Sequence, residues 1–220
     1  RIRDSIRLEK IVFPKTGISS FGKGVWAYAS KLKEVVLTAS ADANFIYEDG
    51  IVYNSDKTAL IAALPLQPNG VDIKHGVIDV ADYAFAGCNL MPHVSLSSDV
   101  KTIGKEAFAN CWSLTEFKVF SKNMPQLNGT NVFKGANVES CLLTVRAGSK
   151  MRFMNTAQWN DFANIVEFGT TIKARNQARE YGDENPRLTF TTIGDKVEGK
   201  PILRCEATTK SGCGRYTIHI

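Results

Sequence analysis

The sequence predicts a solenoid of short strands and irregular turns, mostly β and coil, followed by a small all-β unit of a different kind. Three observations carry that expectation: an apolar pattern that returns every 23 residues, a stretch that interrupts it with hairpin chemistry, and a change of composition past Gly169. The clearest copy of the pattern spans residues 100–119, where Ile103, Phe108, Leu114, Phe117 and Val119 fall at −5, 0, +6, +9 and +11 from Phe108. Moving 23 residues back, the same offsets land on Val80, Phe85, Met91, Val94 and Leu96, and Cys88 answers Cys111. An apolar residue at all five offsets, together with the cysteine, marks an internal repeat.

A period of this size belongs to leucine-rich repeat solenoids, whose units of roughly 20–29 residues bury their apolar side only against their neighbours. In chain order, Leu8, Ile11 and Phe13 form the tail of a unit whose front half is missing. With Trp26 at zero, the offsets give Phe21, Leu32, Val35 and Leu37. The two units described above follow, and Val132-Phe133 with Leu143 and Val145 makes a longer, degraded one. That makes about five units, more than the three or so that a continuous core requires. Apolar residues alternate along each tail, so each tail is expected to be a short strand with +9 and +11 facing in and +8 and +10 facing out. The Ile-Gly-x-x-Ala-Phe segment ahead of it is expected to turn the chain and drop an aromatic plug into the stack.

Residues 41–76 break the period. Alternation around Asp49-Gly50, a favoured two-residue turn, and a second polar turn at 54–57 predict a small antiparallel meander inserted at about 41–64. At the far end an open stack leaves its last apolar layer wet, so an atypical unit has to cover it. Residues 148–168 supply this cap, with a helix over 150–162 laying Phe153, Ala157 and Trp159 on the layer.

The pattern Ile103-Gly104-x-x-Ala107-Phe108-x-x-Cys111-x-x-Leu114-x-x-Phe117-x-Val119 resembles the BspA-type leucine-rich repeat of bacterial surface proteins, common in Bacteroides and its relatives. The segment Asp49-Gly50-Ile51-Val52-Tyr53-Asn54-Ser55-Asp56 resembles the hairpin insert of such proteins, and Trp159-x-x-Phe162-x-Asn164-Ile165-x-Glu167 resembles their cap, so the likeness runs over residues 1–168. Beyond it, Ile172-x-Ala174, Glu180-Tyr181-Gly182-Asp183-x-Asn185-Pro186, Gly199-x-Pro201 and Gly212-Cys213-Gly214-Arg215-Tyr216 are similar to MBG domains, small β-sandwich-like modules of surface proteins. Alternation in 188–190, 203–207 and 215–220 agrees with strands there. The resemblance implies further strands beyond Ile220, so the module at 169–220 is read as incomplete. It also implies a secreted or cell-surface location, exposed at the outer membrane. The absence of an initiator Met suggests a mature or trimmed piece of a longer protein.

Little in the chain points to chemistry. His75, His93 and His219 are scattered with no nucleophile at a recognisable spacing, and no phosphate loop or dinucleotide fingerprint occurs. Acidic residues fall in turns such as Asp49-Gly50 and Asp183-Glu184-Asn185, where a turn role suffices. The net charge of +5 is spread out: residues 1–40 hold eight Lys/Arg against three Asp/Glu, 41–168 ten against thirteen, and 169–220 nine against six. Nucleic-acid binders concentrate their basic residues on one face, so no nucleic-acid partner is expected. No apolar run is long enough to cross a membrane. The five cysteines form no Cys-x-x-Cys pair, which leaves a zinc site unsupported. Cys88 and Cys111 are expected as buried core thiols. Cys205 and Cys213, eight residues apart across a turn, are either a hairpin disulfide or two thiols.

The expectation is therefore a protein with no enzymatic role, no metal and no cofactor, probing its surroundings as a monomer through an extended surface. The outward strand positions nominate a ribbon of Lys10, Val12, Glu34, Val36, His93, Ser95, Glu116, Lys118, Leu142 and Thr144. Val12, Val36 and Leu142 are unusual for a face meant only to be wet. The partner would be an extracellular protein, giving adhesion, or a glycan, giving carbohydrate capture for nutrient uptake; a purely structural stalk is the remaining alternative. Glycan capture would require a pocket lined with clustered acids and exposed aromatics, so burial of Trp26, Trp112 and Trp159 together would count against it.

Overall fold

Each repeat contributes two short strands where the sequence pattern indicates one. The computed structural model describes residues 4–13, 18–36, 43–121, 123–169, 171–193 and 202–219. Its first unit, Arg1–Glu167, is a mostly β solenoid of about six turns with little helix. In chain order the strands are β1 (Lys10–Val12), β2 (Glu34–Val36), β3 (Phe45–Glu48), β4 (Ile51–Asn54), β5 (Ala59–Ala63) and β6 (Val71–Ile73). They continue as β7 (Asp79–Val80), β8 (His93–Leu96), β9 (Thr102–Gly104), β10 (Glu116–Val119), β11 (Gln126–Asn128), β12 (Leu142–Arg146) and β13 (Asn164–Phe168). The tails make the first sheet: β6, β8, β10 and β12 run parallel and β13 closes it, while β1 and β2 pair in parallel by themselves. The Ile-Gly segments make the second, in which β5, β7, β9 and β11 run parallel. Gly104 lies close to its neighbour there: a Cβ on it would lie 2.4 Å from the Asp82 backbone nitrogen of the preceding turn.

Aromatic plugs fill the stack. Phe85, Phe108 and Phe133 lie nearly parallel, with ring centroids 5.1 and 5.8 Å apart and tilts of 7° and 11°, and all three are buried. Phe117 meets Phe108 edge-on at 5.1 Å, the geometry that aromatic quadrupoles favour. Each plug is bracketed by backbone in the left-handed region. Gly24, Tyr83, Glu106 and Asn131 stand two residues before successive plugs, and Tyr28, Gly87, Asn110 and Gly135 two residues after. The repeat thus carries a backbone signature, two sharp turns around one aromatic, that its apolar pattern does not reveal. Leu32 and Val35 are buried as the offsets require, whereas Leu37 lies outside the described residues.

The insert is a meander, and it is part of the solenoid. Asp49 and Gly50, both at positive φ, make the β3–β4 turn, and β5 then joins β7 so that the hairpin extends the second sheet in the order β7, β5, β4, β3. Residues 41 and 42 of the expected insert lie outside the described residues. Both faces of this hairpin are covered. Ile51, Tyr53, Leu60 and Ala63 belong to the main core with Phe85 and Phe108, and Phe45, Val52, Ala62 and Leu64 belong to a second core with Trp26, Leu32 and Val35.

The cap departs from the single expected helix. A helix α1 covers only Lys150–Met154, the backbone reverses at Gln158 (φ 68°), and a 3₁₀ turn follows at Trp159–Asp161. Phe153 and Trp159 are buried as expected, but Ala157 is exposed and Phe162 takes its place. The break is productive: it swings Trp159 to 5.2 Å from Phe133, so the indole continues the plug ladder by one rung. Its ring nitrogen donates to the Pro125 carbonyl at 3.3 Å.

The second unit, Phe168–Ile220, is all-β in its regular structure, with the antiparallel pairs β14 (Thr171–Ala174) with β15 (Phe190–Ile193) and β16 (Arg204–Cys205) with β17 (Ile218–His219). Arg179 ties its loops together, donating to Asn185 Oδ1 at 2.9 Å and to the Asp183 carbonyl at 2.7 Å, and also to the Thr208 carbonyl. Gly199 and Pro201 lie outside the described residues.

Candidate binding face

The outward positions of the first sheet are brought into rows by strand register. His93, Glu116 and Leu142 are paired across β8, β10 and β12, and Ser95, Lys118 and Thr144 form the parallel row beside them. On the separate pair, Lys10 aligns with Glu34 and Val12 with Val36. Among the described residues the nominated ribbon therefore lies on two sheets. Two of its members are less open than expected: Ser95 is only 8% exposed and His93 packs its ring over Gly70. Beside them runs β6, whose Asp72 is registered with Ser95. Asp72 was missed because Val71-Asp72-Ile73 falls inside the stretch where the period is broken, although its own alternation signals a strand. The far strand β13 likewise adds Asn164 and Val166 to the face.

Charges on this face are paired within it. Lys10 Nζ lies 2.7 Å from Glu34 Oε1, Lys118 Nζ 2.9 Å from Glu116 Oε2, and His93 Nε2 3.9 Å from Asp72 Oδ1. Apolar side chains stand among them, with Val12 64%, Val36 43% and Leu142 37% exposed. At the rim leading into β10, Trp112 is 60% exposed, and Leu90 is exposed on the turn before it. Trp112 follows Cys111 directly, and Cys111 faces the core. Trp26 and Trp159 are buried.

The thiols split into two kinds. Cys88, Cys111 and Cys141 are fully buried, and Cys88 and Cys111 point their sulfurs at the Leu64 and Phe85 carbonyls, at 3.5 and 3.4 Å. Burial pushes all three thiols up, Cys141 to about 12. Cys205 and Cys213 are half-buried and exposed, and both are free thiols in this structure. Among the described residues no three His, Cys, Asp or Glu side chains gather closely enough to hold a metal ion. Among them, too, no helix is long and apolar enough to cross a membrane.

Comparison with known families agrees with this architecture. Residues 67–163 match the BspA-type leucine-rich repeat region in six copies, and residues 170–220 match the MBG domain of YGX type. The chain carries a BspA-type leucine-rich repeat region followed by an MBG domain. Among solved structures, the pneumococcal vaccine antigen PcpA is similar at 15% identity and a TM-score of 0.40, over 63% of this chain and 51% of that one. A leucine-rich repeat protein from Eubacterium ventriosum is similar at 19% identity and a TM-score of 0.47, over 63% of this chain and 42% of that one. A leucine-rich cell surface protein from Faecalibacterium prausnitzii is similar at 18% identity and a TM-score of 0.47, over 73% of this chain and 48% of that one. The chain thus spans about half, or less, of the length of each. No curated protein matches it. Of the nominated residues, His93, Ser95, Glu116, Lys118, Leu142 and Thr144 fall within the matched repeat region, and Lys10, Val12, Glu34 and Val36 lie ahead of it.

Proposed function

We propose that the BspA-type region is a non-enzymatic binding surface at the bacterial cell exterior, and that it mediates adhesion by holding an extracellular protein against the outward face of its first sheet. The observation that supports this most is the register that lines up His93, Glu116 and Leu142 beside Ser95, Lys118 and Thr144. Parallel rows of this kind offer one continuous surface across several turns, as solenoids use for recognition. Its charges are already neutralised in pairs, so the partner is neither a polyanion nor a polycation. The MBG domain acts as a spacer. The test is a binding screen of the soluble chain against immobilised extracellular-matrix proteins and glycans, with a Glu116→Ala, Lys118→Ala double variant as control. Saturable binding to a protein, weakened about tenfold by the double variant, supports the reading, and a blank panel overturns it.

A second reading, glycan capture, is favoured by the exposure of Trp112, because an open indole face is a stacking platform for a sugar ring. In the same screen it predicts that the glycan arm responds, and that Trp112→Ala removes the response.

A further inference from the structure

Trp112 stands open on the loop that leads into β10, 60% exposed, whereas Trp26 and Trp159 are sealed in the core. We propose that Trp112 receives a single arginine side chain of the partner protein, stacked on its indole with the guanidinium bonded to the hydroxyls beside it. The inference rests on the protein-binding role proposed above and names the chemistry that the partner presents at the rim of the face.

Three observations carry it. The first is the ring itself. Among the described residues neither a cation nor a second ring stands over Trp112, although the same unit sets Lys105 6.0 Å from the centroid of the Tyr83 ring. An indole is the aromatic face that attracts a cation best, and the planar guanidinium of arginine stacks on it. Leu90, exposed on the turn before, offers aliphatic surface to the methylenes of the arginine stem. Tryptophan and arginine are also the residues that most often anchor protein interfaces.

The second is the direction of the hydrogen bonds around the ring. Ser113 Oγ donates to the Asn89 carbonyl at 2.6 Å and Thr115 Oγ1 to the Pro92 carbonyl at 2.9 Å, so both exposed hydroxyls turn their protons inward. On the following turn Asn137 does likewise, its amide nitrogen donating to the Leu114 carbonyl at 3.3 Å. What the two hydroxyls offer outward is lone pairs. A guanidinium is all donor, whereas a sugar hydroxyl seeks a donor and an acceptor.

The charge is the third observation. On three successive turns, residues 86–92, 109–115 and 135–141 contain no lysine or arginine, and Glu139 is the single charged residue in them. Glu139 is exposed and makes no ion pair among the described residues. A cation therefore approaches this strip without repulsion. The paired charges of the sheet face leave no place for a basic stretch, and one arginine at its rim asks for none.

The experiment titrates the full chain with terminally blocked Gly-Arg-Gly and follows the indole N–H resonance of Trp112 by heteronuclear NMR, assigned from its absence in Trp112→Phe. A saturable shift is expected, with a dissociation constant on the order of 1–10 mM for so small a probe. Replacing arginine by citrulline, which keeps the shape and loses the charge, should weaken binding about tenfold, and Ser113→Ala should weaken it about threefold. The rest of the spectrum reports whether either variant keeps its fold, and the citrulline probe needs no variant at all. Absence of a saturable shift overturns the proposal, as does equal binding of the citrulline peptide or an unchanged affinity in Ser113→Ala. Tighter binding of methyl β-galactoside at the same resonance overturns it too, and assigns Trp112 to a sugar. If protein binding sensitive to Glu116 and Lys118 persists while Gly-Arg-Gly fails, only the arginine site is refuted. If Gly-Arg-Gly binds while every protein on the panel is blank, the wider sheet-face reading fails instead.

Discussion

Phe108 is the residue on which the repeat turns, packed between Phe85 and Phe133 and met edge-on by Phe117. Truncating it leaves a cavity that two stacked neighbours cannot both move to fill, so Phe108→Ala should cost about 3–5 kcal/mol in denaturant unfolding. Cys141 offers a different handle. Its thiol is held up to about 12 by burial, against an ordinary 9.0, so the folded state keeps a proton that the unfolded chain releases. Stability from this group is complete below the unfolded value and falls as pH rises from 9.0 toward about 12. Unfolding measured across that window should show a shallower decline in Cys141→Ala than in the parent. Phe108 and Cys111 were legible in the sequence because they recur at fixed offsets; Cys141, which falls at no such offset, was not. Trp112 was not, since nothing in an offset table separates an aromatic that plugs the core from the next one that leaves it.

At the level of elements, the tails were legible and the second sheet was not. Alternation over Glu116–Val119 gives a strand directly, but β7 is two residues long and leaves no period to read. What makes it a strand is tertiary: the turns stack closely enough at Gly104 that Asp79 and Thr102 align and bond to each other. The cap shows the same limit. A helical pattern was visible in 150–162, yet Gln158 breaks it by bonding back to the last repeat, accepting from Val132 N at 2.8 Å and donating to the Gly129 carbonyl at 2.9 Å. Gln158→Ala should therefore cost about 1–2 kcal/mol. Loss of amide protection at Val132 in hydrogen exchange would identify the broken latch.

For the whole molecule, the fold class followed from the period and the outward rows followed from the strand parity, whereas the place of Phe153 and Trp159 over the last repeat depends on where α1 and the 3₁₀ turn lie. None of those positions is encoded in a repeat. The division of the core is likewise a property of the assembled chain. Trp26 lies in a cluster that meets the hairpin from one side, and the ladder of Phe85 and Phe108 meets it from the other. Trp26→Ala should cost about 3–5 kcal/mol to the N-terminal part. Hydrogen exchange should then show protection lost in β2 and kept in β8, β10 and β12; equal loss in both regions would show a single cooperative core.

The two-faced hairpin then acts as a bulkhead. With Val52 and Ala62 dry on one side and Ile51, Tyr53 and Leu60 dry on the other, water admitted by local opening around β1 and β2 meets a wall already sealed on its far face. A protease cutting around Lys10 would be expected to leave the stack from β6 to β13 intact, so the outward rows of that stack outlive the β1–β2 pair.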